Sequence, residues 1–182
     1  MAVALTVRNT LAIWRQIKNP ASPLDFLFDM IEPMNIHFIC RGNVLRSLIA
    51  ETYLRSLNIR DINVLSSGTN VNWSDPQERE YFANTLAVLE RHGIQSFAKL
   101  NPEQLTQKHI DNNHDTVILM NQRVIDEAVK IVKLPSNTFN WDIIDIGEGH
   151  RTVSDSRESY EEEIYQEIKQ KVDELIKVAQ LT

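Results

Sequence analysis

The sequence predicts an α/β domain, a doubly wound parallel sheet of about four strands flanked by helices, behind a short helical extension. Three observations carry this prediction. From Met34 onward, short β-rich runs alternate with amphipathic helical stretches, the order that builds a parallel sheet. One run, "DTVILM" (115–120), is almost continuously apolar, as expected of a central parallel strand covered on both faces. The chain has 182 residues, 42% of them hydrophobic and none in a low-complexity tract, enough for one domain with a full core.

Residues 1–33 form the extension. Val3, Val7, Leu11 and Trp14 recur at helical spacing, giving one apolar stripe. "NPASP" (19–23) breaks that pattern, and Ser22-Pro23 opens a second short helix through "LDFLFDMIE", which Pro33 ends. Such stripes usually fold back on their own domain, and the alternative is a docking or self-association surface.

The domain proper spans 34–182. "IHFIC" (36–40) is its first strand. A helix follows with Ala50, Tyr53, Leu54 and Leu57 on its buried face, then a second strand "INVLSS" (62–67) and a polar loop from Gly68 to Pro76. Phe82, Leu86 and Leu89 mark the next helix, closed by His92-Gly93. After the strand at 115–120 comes a helix through Val124, Ala128 and Ile131, and "TFNWDI" (138–143) supplies the last strand. A long terminal helix carries Ile164, Ile168, Val172, Leu175 and Ala179 on one stripe, with Ser159 and Glu162 as a capping box.

Charge and cysteine content restrict the function. A net charge of -6 gives no general affinity for nucleic acid or anionic membrane, though it leaves room for one concentrated positive pocket. The single cysteine, Cys40, excludes an internal disulfide framework and fits a reducing compartment. The apolar amino terminus has no basic leading region and Arg8 interrupts it, so a signal peptide is not expected. No run approaches a membrane span of ~20 apolar residues. The expected location is cytoplasmic.

The candidate site is the loop after the first strand, "CRGNVLRS" (40–47). Ligands of open α/β sheets bind beyond the carboxyl ends of strands, near the reversal in strand order. A short loop entering a helix there points backbone N–H groups inward and adds the helix dipole, which makes an anion cradle. Gly42 permits torsions closed to other residues, and Asn43 is the next best tolerated. Arg46 supplies a permanently charged fork for two oxygens of a tetrahedral anion. Among these positive groups Cys40 favours the thiolate, the nucleophilic form. Ser47 can donate a hydrogen bond to the sulfur. A lone cysteine at a strand end is more often a small core residue, but the loop context favours the anion site.

These residues resemble the signature of the low-molecular-weight protein tyrosine phosphatases, Cys-x5-Arg-[Ser/Thr] with Gly-Asn inside. Ala50-Glu51, "SSGT" (66–69), "RHGI" (91–94) and "HDTVILM" (114–120) match the family in order, so the resemblance covers about residues 34–180. It implies a flavodoxin-like fold and hydrolysis of phosphate monoesters through a phosphocysteine, with no cofactor and no metal. By this resemblance Cys40 is the nucleophile, and Arg46 with the loop residues Arg41, Gly42, Asn43, Val44, Leu45 and Ser47 binds phosphate. Ser66 supports the loop through Asn43, and Trp73 forms one wall of the mouth. The family's general acid falls on Asp145 in "NWDIIDIGEGH", with Asp142 the runner-up. The implied partner is a phosphotyrosine protein or a small phosphate ester.

The match has departures. Ile146 stands where the family has a proline after the acid, and "GEG" replaces the aromatic residues beyond it. Leu48 replaces the proline after the loop serine, and Leu45 the second loop cysteine. With one cysteine the internal relay of arsenate reductases on this fold cannot run. Val44, where a phosphoarginine branch has threonine, leans toward phosphotyrosine. The alternative reading is a catalytically weak or inactive phosphate- or phosphopeptide-binding module on the same fold.

Overall fold

In the computed structural model, residues 34–111, 116–145 and 157–181 are described. The extension at 1–33 therefore lies outside the described residues, as do Ile146 and the "GEG" segment. Four strands, β1 (Met34–Cys40), β2 (Ile62–Gly68), β3 (Thr116–Leu119) and β4 (Thr138–Asn140), form one sheet in the order β2-β1-β3-β4. All three pairings are parallel. Connections leave β1 first to one side and then to the other, so the reversal in strand order falls between β1 and β3. Cys40 ends β1 at that point, where a doubly wound sheet opens a crevice.

The helices are α1 (Arg46–Ser56), α2 (Pro76–Arg91), α3 (Gln107–Asp111), α4 (Gln122–Ala128) and α5 (Arg157–Leu181). Side chains alternate across the sheet with the strand period of two. Ile36, Phe38 and Cys40 of β1, with Ile118 of β3, belong to the larger core under α1, α2 and α5. Ile39, Val117 and Leu119 join Leu105, Ile110, Val124 and Ala128 on the opposite face, under α3 and α4. Both faces are covered, which is why the central strands read as nearly unbroken apolar runs. Alternation also places the Cys40 side chain on the α1 face, beside the loop that follows it.

The structure corrects several element expectations. The last strand stops at Asn140, because Asp142 turns with φ 54°. Leu57, expected on the buried face of α1, is the residue that ends the helix and is 37% exposed. Ile131 is also exposed, since α4 ends at Ala128 and Val132 takes the buried place. The helix α5 begins at Arg157, so Ser159 lies inside it and does not cap it. The Glu162 carboxylate instead meets His92 Nε2 at 2.9 Å and Arg91 at 3.6 Å, tying α5 to the end of α2. The short α3 had no sequence expectation. Among the described residues no helix is long and apolar enough to cross a membrane.

Candidate active site

The loop between β1 and α1 is held from below by β2 and its following turn. Thr69 N donates to Cys40 O at 3.0 Å and Asn70 N to Arg41 O at 2.9 Å. The approach is so close that a Cβ on Gly68 would lie 2.5 Å from Arg41 O and 2.9 Å from Asn43 N. No side chain could stand at Gly68 without moving the loop, which accounts for the glycine in "SSGT". At the top of the loop, Asn43 takes a left-handed φ of 57°, accessible to asparagine at modest cost. That turn reverses the chain, and α1 begins at Arg46 with no side chain capping its first turn. The N–H groups of a first helical turn have no partners within the helix. This turn follows directly on the loop that starts at Cys40.

A buried hydrogen-bond chain fixes the orientation of these groups. The Asn43 Oδ1 accepts from Glu103 N at 2.8 Å, so its Nδ2 must point the other way. Nδ2 donates to Ser47 Oγ at 2.9 Å and to Ser66 Oγ at 2.7 Å. Ser47 Oγ, already accepting, donates to Cys40 Sγ at 3.0 Å. Asn43 N also donates to that sulfur, at 3.2 Å. Ser66 Oγ passes its own hydrogen to Glu51 Oε2 at 2.6 Å. Cys40 is 3% exposed, and its sulfur receives one donor from the loop backbone and one from a side chain of α1.

Glu51 is 1% exposed and would be costly to bury alone. Arg55 meets one of its oxygens at 2.7 Å and Lys99 the other at 3.4 Å. Lys99 Nζ also donates to Ser66 O at 2.6 Å. Sequence reasoning did not assign Lys99 a role, since it comes from the segment after α2. Glu51 had two usable signals, the Ala50-Glu51 match and its i+4 spacing from Ser47 and to Arg55. Replacing Lys99 by methionine leaves the half-exposed Arg55 as the one cation on Glu51 among the described residues, beside the Ser66 hydroxyl. We expect a loss of about 2 kcal/mol, the scale for a buried charged group that loses one of several partners, read as a lower denaturant midpoint with unchanged slope.

Arg46 is 2% exposed. One guanidinium nitrogen donates to Ile143 O at 3.1 Å, and the other contacts the Asp145 carboxylate. The loop after β4 therefore reaches the cradle through Asp145, which is 26% exposed. Asp142, the runner-up for the acid, is exposed, and its N–H bonds Asn140 Oδ1 at 2.9 Å, away from the cradle. Of the two carboxyls, only Asp145 is in contact with a candidate site residue.

The remaining predicted residues divide. The Arg41 guanidinium turns out of the loop toward Glu127 on α4, with Nε 3.4 Å from its carboxylate; only its backbone belongs to the cradle. Val44 packs with Leu48 and Phe82, and Leu45 lies in the main core. Their side chains anchor the loop and leave their amides to line it. Trp73 is 37% exposed and sets its ring edge-on against Phe82, 5.2 Å between centroids. Phe82 in turn packs with Val44 and Leu48. Glu78, which the sequence did not single out, presses its carboxyl onto Gly42.

The family model for low molecular weight phosphotyrosine protein phosphatase matches residues 35–182. The chain belongs to that family. Solved structures share its fold at low identity. A low molecular weight phosphotyrosine phosphatase from Vibrio cholerae is 18% identical, covering 81% of this chain and 97% of its own, with a TM-score of 0.60. An arginine phosphatase from Geobacillus stearothermophilus is 20% identical over 82% and 94%, at 0.57. A thioredoxin-dependent arsenate reductase from Corynebacterium glutamicum is 26% identical over 85% and 66%, at 0.58. No curated protein matches. Proteins named for three different activities thus share the architecture, so the choice among chemistries rests on the residues of the site.

Proposed function

We propose that this phosphatase-family protein hydrolyses phosphate monoesters through a phosphocysteine, with Cys40 as nucleophile, Arg46 as the phosphate fork and Asp145 as general acid and base. The observation that carries the proposal is the pair of hydrogen bonds donated to Cys40 Sγ, from Ser47 Oγ and Asn43 N. A cysteine serving only as a core residue would not need two polar donors aimed at its sulfur. Together they stabilise negative charge on the nucleophile, and later on the sulfur as a leaving group.

The proposed steps use these groups in turn. The thiolate attacks phosphorus in line, while loop amides and Arg46 hold the equatorial oxygens. Phosphoryl transfer depends mainly on positioning and charge stabilisation, so this cradle supplies most of the rate. The S–P bond forms as the P–O bond to the leaving group breaks, and Asp145 gives its proton to the departing oxygen. Water, deprotonated by Asp145, then attacks the phosphocysteine and returns the thiolate with release of inorganic phosphate.

The substrate is proposed as a phosphotyrosine side chain. Val44, apolar and packed against Phe82, offers no hydroxyl for a nitrogen-linked phosphate, and Trp73, edge-on to the same Phe82, is proposed as an aromatic wall for the phenyl ring. The lone reduced thiol fits a cytoplasmic protein. Residues 1–33 are proposed as a separate helical extension, the part of the chain available for docking or self-association.

Steady-state hydrolysis of p-nitrophenyl phosphate from mildly acidic to neutral pH tests the assignment. We expect vanadate-sensitive turnover in the wild type and none in a folded Cys40→Ser variant. Turnover that survives Cys40→Ser would overturn the mechanism.

A further inference from the structure

Glu78 stands in the first turn of α2, three residues after Asp75, which caps the helix by accepting from Gln77 N at 2.9 Å. A glutamate at that position often reaches back to the N–H of the capping residue. Here the Asp75 N–H is taken by Asn72 O, at 3.0 Å, and Glu78 reaches across to the phosphate loop. A Cβ on Gly42 would lie 2.4 Å from Glu78 Oε2 and 3.2 and 3.3 Å from the other two carboxyl atoms. The carboxyl thus fills the space that a side chain at Gly42 would take, against the second residue after the nucleophile.

Its surroundings do not balance an ionised form. Oε2 is buried with no hydrogen-bond partner among the described residues. Arg41 is the cation that acts on it, but its Nε is bonded to Glu127. The charged groups that act on Glu78 are Arg41 from the loop, Asp75 from its own helix cap and Asp145 from the loop after β4. Two of these three are negative. Burial first, and then Asp75 and Asp145, push the Glu78 carboxyl above its usual range, with Arg41 opposing. An anionic carboxylate pressed on a loop built to receive an anion is an arrangement the site tolerates better when the carboxyl is neutral.

We propose that Glu78 sets the charge of the phosphate cradle: it is protonated when an anion occupies the loop, so that anion binding at Cys40–Ser47 takes up a proton at Glu78. The proposal rests on the assignment of that loop as the phosphate site. Its consequence has a definite sign. An anion bound beside Glu78 favours the neutral carboxyl and raises its affinity for the proton. Below that titration both partners are compatible and binding is tightest. As pH rises, Glu78 ionises in the free protein and affinity falls. The site would therefore hold an anion of fixed charge more tightly below the Glu78 titration than above it.

The test is the affinity of the full-length chain for sulfate, a dianion throughout, measured by calorimetry between about pH 5 and pH 8 for the wild type and Glu78→Gln. Glutamine keeps the shape and removes the ionisation. We expect the wild type to lose affinity with rising pH by roughly threefold or more beyond any loss in Glu78→Gln, and to bind more weakly than the variant at the upper end. Asp145→Asn should retain this excess, which separates Glu78 from the other nearby carboxyl. If Glu78→Gln does not fold, Glu78→Ala should show the same flattened profile. Parallel profiles in the wild type and both Glu78 variants would overturn the role of Glu78 and leave the phosphate site standing. A folded wild type that binds no sulfate at any pH would overturn the phosphate site itself, and this inference with it.

Discussion

Replacing Arg46 by alanine is expected to lower kcat/KM for p-nitrophenyl phosphate by at least about a thousandfold, the upper end of the loss seen when one preorganised charge-stabilising donor is removed. Arg46 is 2% exposed, so no water-rich surface replaces its charge. It also makes two connections at once, to Ile143 O at 3.1 Å and to Asp145, and the alanine variant loses both. The acid loop is then no longer tied to the cradle. Arg46→Lys should recover little of the loss, because an ammonium keeps the charge but not the planar fork that serves two oxygens. Far-UV circular dichroism and the denaturant midpoint distinguish this outcome from misfolding. Wild-type kcat/KM in a folded Arg46→Ala protein would remove the arginine from the site.

Asp145→Asn carries the second large effect, and it has two parts of opposite direction. Turnover of substrates with poorly acidic leaving groups, such as alkyl phosphates, should fall by about a hundredfold or more, the usual contribution of a positioned acid. Turnover of p-nitrophenyl phosphate should fall less in its first step, since that leaving group departs without a proton. Anion binding, by contrast, should tighten. The Asp145 carboxylate contacts the same guanidinium that is to receive phosphate, and an amide there no longer competes as a charge. Vanadate inhibition constants for the two proteins report this part. An Asp145→Asn protein with undiminished alkyl phosphatase activity would shift the acid elsewhere, with Asp142 the first residue to examine.

The central loop was legible in the sequence because its chemistry is local. Cys40 through Ser47 are consecutive, and the apolar strand before them and helix after them state where the loop sits. The parallel sheet was legible for a related reason. Its central strands bury both faces, so Phe38, Ile39 and Val117 to Leu119 read as unbroken apolar runs. Elements short enough to depend on context were not. The α3 helix spans Gln107–Asp111, too few residues for a periodic pattern. The last strand ends where Asp142 adopts φ 54°, a torsion that no spacing announces. Likewise, Ser159 and Glu162 satisfy a capping pattern, yet Glu162 is used against His92 and Arg91.

The support of the site was the least legible part. Lys99, Glu103 and Glu78 lie 38 to 63 residues after the cysteine in a chain whose order of contact is set by topology. Each is a common surface residue type with no distinguishing neighbours in sequence. Only the crossing of β1 between β2 and β3 brings the ends of these connections around one loop. Asp145, in contrast, was reached through the resemblance, and its contact with Arg46 adds a physical reason to prefer it over Asp142.

The most direct test of the central claim is to quench Asp145→Asn during turnover of p-nitrophenyl phosphate and analyse the peptide containing Cys40. Cysteine phosphorylation needs no proton for this leaving group, whereas hydrolysis of the phosphocysteine needs a base to activate water. The intermediate should therefore accumulate, with a burst of p-nitrophenol approaching one equivalent per chain and one phosphoryl group on Cys40. A burst-free time course, with release of p-nitrophenol and an unmodified Cys40 peptide, would contradict covalent catalysis by this cysteine.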